Sequence, residues 1–495
     1  MRRSTHGRVT RIDMTQYEAK IGSVSQVDGL VSGIRRLHVG DNLEVMRGME
    51  GGTVDLVYLD PPFNSNKNYK IVFRGPSALK PDAYLPAFED VWIWDDVSEE
   101  ILNATLSENR GQAIAETLAG LLKVVGRGRL MAYLVNMTLR LIEIHRLLTP
   151  TGSVYLHCDP SASHYLKVVM DAVFGRENFR NEIVWCYRGG GVPRRNFARK
   201  HDVILRYTKS DDYTFNPQYG EYSDASKALV NARGGTSIDG RERDLERGAH
   251  MPDWWSDINS LQTWSPERTG YPTQKPVKLL ERIIRSSSNE GDVVMDPFCG
   301  CGTTMVAAEQ LGRSWIGIDV EPIALSVLRD RFHQGRLPGD FAVSGLPSMS
   351  MGDLTVWIEM AEIDPMRFER GVMSMIPRCV PWRIRQDSGM GMDGVVSLPV
   401  ALGGKCHAVV RVVGGSAIDG SVLADMKRTV DRASDDDVLA GILVTAHEPR
   451  GEMPSEVESV GAVEFGGRVY PRISIVSLEE LFRRVERDWA TFPLE

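Results

Sequence analysis

The chain has 495 residues, 42% of them hydrophobic, and a formal net charge of −8. That length predicts roughly two to four domains, and the apolar content supports packed cores rather than disorder. No apolar run approaches the ~20 residues that cross a bilayer, and the acidic balance leaves only a local basic patch to meet nucleic acid.

The basic start Met1-Arg2-Arg3 is not followed by an apolar stretch, so no secretory leader is expected. Six scattered cysteines, none in C-x-x-C spacing, fit reduced thiols in a cytoplasm, and no metal centre is expected.

Residues 1–30 lack periodicity and read as an arm. A strand at Ile34–Val39 ends at Gly40-Asp41, and a short helix follows from Asn42. The next strand starts at Val54 and runs directly into Asp60-Pro61-Pro62-Phe63. Two strands joined by a helix point to a parallel sheet. The two prolines stiffen the turn and remove two backbone donors. What remains is a carboxylate, carbonyl oxygens without competing N–H groups, and an aromatic ring. That set suits a flat heterocycle bearing an amino group. The same tetrapeptide also fits an ordinary strand-ending turn.

Residues 70–130 read as irregular, with Trp92 and Trp94 among acidic residues. Leu134, Met137, Leu141, Ile144 and Leu148 then recur at helical spacing, and Thr149-Pro150-Thr151-Gly152 predicts the stop. A strand is expected at Ser153–His157, a helix from about Ser161 to Phe174, and strands at Ile183–Tyr187 and Val203–Tyr207. Between the last two lie Arg188, Arg194, Arg195, Arg199 and Lys200, five cations with no acid among them. This is either a solvated loop or one that tracks DNA phosphates. Residues 209–270 are polar and glycine-rich, with Trp254, Trp255 and Trp264, and read as an insertion in the sheet domain.

Thr273-Gln274-Lys275-Pro276 opens a helix over Val277–Arg285. A buried strand, Asp292–Asp296, is followed by Pro297-Phe298-Cys299-Gly300-Cys301-Gly302-Thr303-Thr304 and a helix through Leu311. A glycine turn between strand and helix lets a ligand approach the backbone at the helix N-terminus. Strand Trp315–Ile318 then ends at Asp319, where an acid commonly meets ribose hydroxyls. Together these point to a nucleoside cofactor; the turn is not a P-loop. From about Leu337 the composition changes, and a second α/β domain is expected.

Taken in this order, the pieces resemble the β class of DNA amino-methyltransferases, the N-4/N-6 family, over roughly residues 34–335. In that family an Asp-Pro-Pro-Tyr/Phe motif precedes Phe-x-Gly-x-Gly, as Asp60–Phe63 here precedes Phe298–Gly302. The resemblance implies a Rossmann-like α/β fold with a seven-stranded, mostly parallel sheet that binds S-adenosylmethionine. It places Asp60, Pro61, Pro62 and Phe63 at the target base. Asp296, Phe298, Gly300, Gly302 and Thr303 would surround the methionine half of the cofactor, with Asp319 at the ribose, Asp41 near the adenine and Lys275 at the carboxylate end. Asp rather than Ser at position 60 is typical of adenine-N6 enzymes in the family. Cytosine N4, or a silent DNA-binding subunit of a modification or defence complex, is the alternative. The partners implied are double-stranded DNA and, alternatively, a second copy or a restriction subunit, in a prokaryotic or phage-type cytoplasm.

The C-terminal part is similar to the Mrr-like PD-(D/E)xK nuclease fold through Gly391–Gly394, Val409–Gly415 and Tyr470–Ile475. Asp393 matches the first acid of that pattern. Arg411 and Val413 stand in the other two positions, which implies a nuclease-like domain, about residues 345–495, without cleavage.

Overall fold

The computed structural model describes residues 33–62, 68–71, 85–89, 92–107, 111–189, 193–222, 224–232, 247–262, 264–269, 271, 273–347, 351–376, 379–384, 392–398, 406–414, 420–433, 438–448, 453–465 and 468–487. They divide into two compact units, one ending at Phe341 and one beginning at Ala342. Among them no helix is long and apolar enough to cross a membrane.

In the first unit the strands are β1 (Arg35–Val39), β2 (Val54–Leu59), β3 (Asn68–Ile71), β4 (Leu85–Glu89), β5 (Leu148–Cys158), β6 (Phe179–Cys186), β7 (His201–Thr208), β8 (Tyr219–Gly220), β9 (Ala249–His250), β10 (Trp254–Trp255), β11 (Val293–Asp296) and β12 (Ser314–Asp319). The pairs β3/β4 and β8/β9 are separate ladders, and the others line up as β10-β6-β7-β5-β2-β11-β12-β1. Seven of these have four residues or more, as the Rossmann-like reading expects, and the two-residue β10 extends the edge. β5, β2, β11, β12 and β1 are mutually parallel. β7 runs antiparallel to both β5 and β6.

Burial explains the central strands. Val54, Leu56, Val57, Tyr58 and Leu59 of β2 are all buried, the near-continuous apolar run that a parallel strand covered on both faces requires. The exception, Asp55, is put to use. Its carboxylate accepts from the Val293 amide at 2.9 Å and the Thr149 hydroxyl at 3.1 Å, stapling β2 to the start of β11 and to β5.

Connectivity places the functional crevice. After β11 the chain passes through the helix Thr303–Gln310 to β12 on one side; after β2 it passes through helices to β5 on the other. Neighbouring parallel strands whose connections leave in opposite directions open a gap above their C-terminal ends. Register sets Met295 beside Val57, so Asp296 at the end of β11 and Asp60 just beyond β2 flank this gap.

Two expectations are corrected. Residues 70–130 are not irregular throughout: helices occupy Asp96–Ser107 and Gln112–Val125. Ile114, Leu118 and Leu121 recur at helical spacing and are buried, a pattern masked by the polar residues that precede it. The strand after the long helix Arg129–Leu147 starts at Leu148 rather than Ser153. Thr149–Gly152 is an excursion within β5, where the pairing with β2 shifts register between Val54 and Leu56. A Cβ at Gly152 would lie 2.9 Å from the Leu148 side chain and 3.1 Å from the Asp55 carbonyl, so the excursion needs glycine.

The second unit contains β13 (Ala342–Ser344), β14 (Cys379–Ile384), β15 (Met392–Leu398), β16 (Cys406–Val413), β17 (Val438–Thr445), β18 (Ala462–Phe465), β19 (Arg468–Pro471) and β20 (Ile473–Ser477). Its five-stranded sheet has the order β14-β15-β16-β17-β20, antiparallel at β14/β15/β16 and parallel at β16/β17/β20. Val409, Met426 and Ile473 are at its core, where the helix Gly420–Ala433 packs on β17.

Candidate functional site

The gap between β2 and β11 is a cavity of about 380 Å³. Nine of the expected site residues line it: Asp41, Asp60, Pro62, Lys275, Asp296, Phe298, Gly300, Thr303 and Asp319. Pro61 is buried beside it, and Gly302 sits behind its wall. Phe63 lies outside the described residues.

The glycine turn is held by two carboxylates. Asp296 accepts from the Phe298 amide at 3.0 Å and from the Thr304 hydroxyl. Asp319 accepts from the Gly300 amide at 2.7 Å and the Glu321 amide at 2.9 Å. Both are carboxylates in a low-dielectric pocket with no cation bonded to them among the hydrogen bonds of the turn. Burial pushes Asp296 up to about 7 against the pull of those donors, and raises Asp319 to about 6. Arg331 braces the turn from behind, donating to the Cys301 carbonyl at 2.9 Å and the Thr303 hydroxyl at 2.8 Å. Gly300 and Gly302 have φ of +50° and +73°. A Cβ on Gly300 would meet the Tyr271 ring at 3.1 Å, and one on Gly302 would sit 2.3 Å from Leu328 Cδ1.

The opposite wall comes from the helix Asn42–Arg47. Asp41 caps it through one oxygen, accepting from the Leu43 amide at 2.8 Å. Its other oxygen meets the guanidinium of Arg140 at 3.0 Å. Arg140 also donates to Asn42 Oδ1 at 2.6 Å, and Asn42 Nδ2 donates to the Pro297 carbonyl at 2.7 Å. This chain of bonds ties the cap of one helix to the turn that opens another.

Lys275 lines the cavity beside the Asp60 carboxylate. Its ammonium bonds the Asp60 carboxylate and lies 3.3 Å from the Thr273 carbonyl. The loop that carries it is self-stapled: Gln274 accepts from Thr269 at 2.8 Å and donates to the Glu267 carbonyl at 2.8 Å. Thr273 has φ of +61°, an unusual conformation for a β-branched residue.

Sequence reasoning missed Tyr58, Trp92, Arg140 and Tyr271, all of which line the cavity. Arg140 carried a signal, as a cation between Leu139 and Leu141 on the apolar face of its helix. Also missed was a chain of hydrogen bonds under Asp60. Tyr58 Oη meets His157 Nδ1 at 2.9 Å, His157 Nε2 meets Asp202 at 3.2 Å, and Tyr187 donates to Asp202 at 3.1 Å.

That chain ends at the basic loop. The loop leaves the sheet where Cys186 faces His201, and the Tyr187 amide closes its base on the Lys200 carbonyl at 2.9 Å. Register runs from Val203 to Cys158 and from Leu156 to Leu59, so this edge of the sheet is also the edge that carries Asp60. Arg188, Arg194, Arg195 and Arg199 are exposed and Lys200 is half-buried. Phe197, at the centre of the cluster, is 100% exposed.

In the second unit, Asp393 of β15 faces Arg411 of β16. Arg411 is 1% exposed and bonds Asp425 at 3.1 Å, and Val413 packs with Val422 and Leu443. Both side chains therefore belong to the interior of this unit.

A model of the DNA methylase family, the N6/N4 group, matches residues 54–328. A type II methyltransferase of Enterobacter cloacae, M.EcaI, is 29% identical over 43% of this chain, which spans 61% of that enzyme's length. The DNA adenine methyltransferase YhdJ of Escherichia coli K12 is 25% identical over 66% of this chain and 92% of its own. Among solved structures, the PvuII DNA methyltransferase, cytosine-N4-specific, is 14% identical with a TM-score of 0.37, covering 61% of this chain and 87% of its own.

The turn geometry makes a prediction that is independent of any ligand. Gly302→Ala should lose about 1–3 kcal/mol from backbone strain, and more from the clash with Leu328. Gly291 has φ of +88° but open space around its missing Cβ, so Gly291→Ala should lose the strain alone. Chemical denaturation of both variants measures the difference.

Proposed function

The chain belongs to the N6/N4 family of DNA methylases, and we propose that it transfers a methyl group from S-adenosylmethionine to the exocyclic N6 of an adenine in duplex DNA. The observation that carries this reading is the pairing, across one crevice, of Asp60 with the acid-braced glycine turn. The cavity is of ligand size, walled by rings and by Asp296 and Asp319, and so suits a cofactor that is both flat and cationic.

When bound, S-adenosylmethionine supplies an electrophilic methyl group on a sulfonium. Asp296, Phe298, Gly300, Gly302 and Thr303 hold its methionine half in this reading, Asp319 its ribose, and Asp41, fixed by Arg140, its adenine end. An exocyclic amine is a poor nucleophile because its lone pair is delocalised into the ring. Asp60 and the Pro61 carbonyl each accept one amino hydrogen, which pushes the nitrogen toward sp³ and frees the lone pair for in-line attack. No covalent enzyme intermediate forms, and Asp60 takes the proton that the methylated nitrogen sheds. Lys275 must first let go of Asp60, since an ammonium already bonded there competes with the amine. Holding both reactants in line contributes on the order of 7–11 kcal/mol. The base leaves the duplex first, and Phe63 stacks on it.

Asp at position 60 and the adenine specificity of the Escherichia coli relative favour N6; cytosine N4 is the second reading. Arg188, Arg194, Arg195, Arg199 and Lys200 contact phosphates. The C-terminal unit does not cleave DNA, because Arg411 and Val413 are committed to its core, and it serves DNA binding or assembly with a second copy or a partner subunit. The setting is a bacterial or phage-infected cytoplasm.

Tritiated-methyl transfer to DNA followed by nucleoside analysis tests the proposal. Label is expected in N6-methyladenine; label only in N4-methylcytosine refutes the base assignment. Asp60→Ala should lower transfer about 10²–10⁴-fold with cofactor affinity retained. Asp319→Ala should weaken cofactor binding, and equal losses of binding in calorimetry would refute the division of roles.

Cofactor affinity should also depend on pH. Because Asp296 and Asp319 are raised to about 7 and about 6, the empty protein holds extra protons there between about pH 4 and 7. This makes the empty fold less stable as pH rises through that window. A cationic ligand favours the ionised carboxylates, so its affinity should plateau above about pH 7 and fall below it, by up to about tenfold per pH unit per proton. Calorimetric titration across that range is the check, and a flat profile is the contrary result.

Neutralising any one of Arg194, Arg195 or Arg199 should weaken binding to all DNA sequences alike and flatten the salt dependence by about one unit. Altered site preference at an unchanged slope would mean that the loop reads bases instead.

A further inference from the structure

A second cavity, of about 110 Å³, lies at a junction of three elements in the first unit. Tyr155, Asn181 and Arg206 reach it from the sheet. Phe215, Gln218, Asp253 and Trp255 come from the insertion, and Arg282 and Ser286 from the helix Val277–Ser287. Register accounts for the sheet contribution, since Arg206 of β7 faces Tyr155 of β5 on one side and Asn181 of β6 on the other.

Arg206 is the anomaly. It is 3% exposed, yet its Nε and Nη2 have no hydrogen-bond partner among the described residues. A buried guanidinium with unmade bonds carries a large desolvation penalty. Its flat face is cushioned by the rings of Phe215 at 4.5 Å, Tyr213 at 5.3 Å and Tyr155 at 5.7 Å. Stacking occupies the faces of the plane and leaves its edge of donors unsatisfied. The other acids nearby do not answer this charge. Asp257 is engaged by Arg282, and Asp253, whose backbone carbonyl accepts from Val184 at 2.8 Å, is exposed.

We propose that this cavity is a binding site for a small oxyanion of phosphate size, held by the edge of the Arg206 guanidinium. Fork-shaped donors match the paired oxygens of phosphate. Side-chain amides of Asn181 and Gln218 offer further donors, whereas the Ser286 hydroxyl is spent on the Arg282 carbonyl at 2.7 Å, and the space exceeds what one water needs. The cavity is too small for a nucleotide. It also lies below the reaction edge: Arg206 is four residues along β7 from Asp202, about 13 Å at strand rise. A free ion is therefore the occupant rather than the DNA backbone. Its effect is mechanical, since it joins the insertion to the sheet and to the helix that follows Lys275. The site is independent of methyl transfer, so it stands or falls apart from the proposed activity.

The test uses the purified full-length protein and inorganic phosphate at constant ionic strength, with chloride as reference. Thermal unfolding should shift upward saturably with phosphate, by a few degrees. Hydrogen exchange in residues 213–218 and 251–255 should slow at the same time. Arg206→Met exchanges a buried charge for an apolar chain of similar length, which is usually tolerated; it should fold and lose the phosphate response. Arg206→Lys keeps the charge without the fork and should show a weaker response. No saturable shift in the wild type, or an equal shift in Arg206→Met, overturns the proposal. So does a shift that depends on Arg206 but is produced by duplex DNA and not by phosphate. Should Arg206→Met not fold, Gln218→Ala takes its place, and an undiminished phosphate response there counts against the site.

Discussion

The structure of the crevice depends on what the buried Asp296 carboxylate does at the end of β11. A strand that ends inside a protein leaves backbone donors with nowhere to turn. Here the side chain of the last strand residue takes the Phe298 amide and, from the following helix, the Thr304 hydroxyl. The chain can therefore reverse within a few residues and start a helix directly beneath the cavity. Asp319 repeats the device from the neighbouring strand by taking the Gly300 amide. Each of these acids has a structural duty before it has a chemical one, and the two cannot be separated by simple truncation.

The same economy extends across the crevice. Asp41 is a helix cap and also the partner of Arg140, and Asn42 passes that restraint to the Pro297 carbonyl. Asp60 is bonded by Lys275. Among the described residues, five carboxylates (Asp41, Asp60, Asp296, Asp319 and Glu321) and two cations thus line the cavity at close quarters. Asp296 and Asp319, which neither Arg140 nor Lys275 bonds, hold their protons more tightly than usual because they are buried.

Much of this was legible in the sequence because strand, acid, glycine turn and helix are local patterns. Asp296 to Thr303 and Asp60 to Pro62 could be placed by reading a dozen residues at a time. The alternation of strand and helix gave the parallel centre of the sheet. What was not legible depended on distance along the chain. Arg140 is about a hundred positions from Asp41, and His157 is likewise remote from Tyr58. No spacing rule joins such pairs. The antiparallel β7 was hidden too, because a buried strand reads the same in either direction. The helix Gln112–Val125 was overlooked for the opposite reason: its pattern was present, but it sat within a stretch dominated by polar and aromatic residues.

The basic hairpin has fixed feet and a free crown. Its base is closed by the Tyr187 amide on the Lys200 carbonyl, and Tyr187 and Asp202 anchor it to His157. Residues 193–199, in contrast, are all exposed. Substitution in the crown costs the fold almost nothing, whereas substitution at the feet disturbs the hydrogen bonds that reach Tyr58. Evolution can therefore exchange the crown like an interchangeable tool head. The charge of this surface can be varied one residue at a time while the hydrogen bonds on the edge of the sheet that carries Asp60 stay unchanged, so the selective risk of retuning it is concentrated in a few replaceable positions.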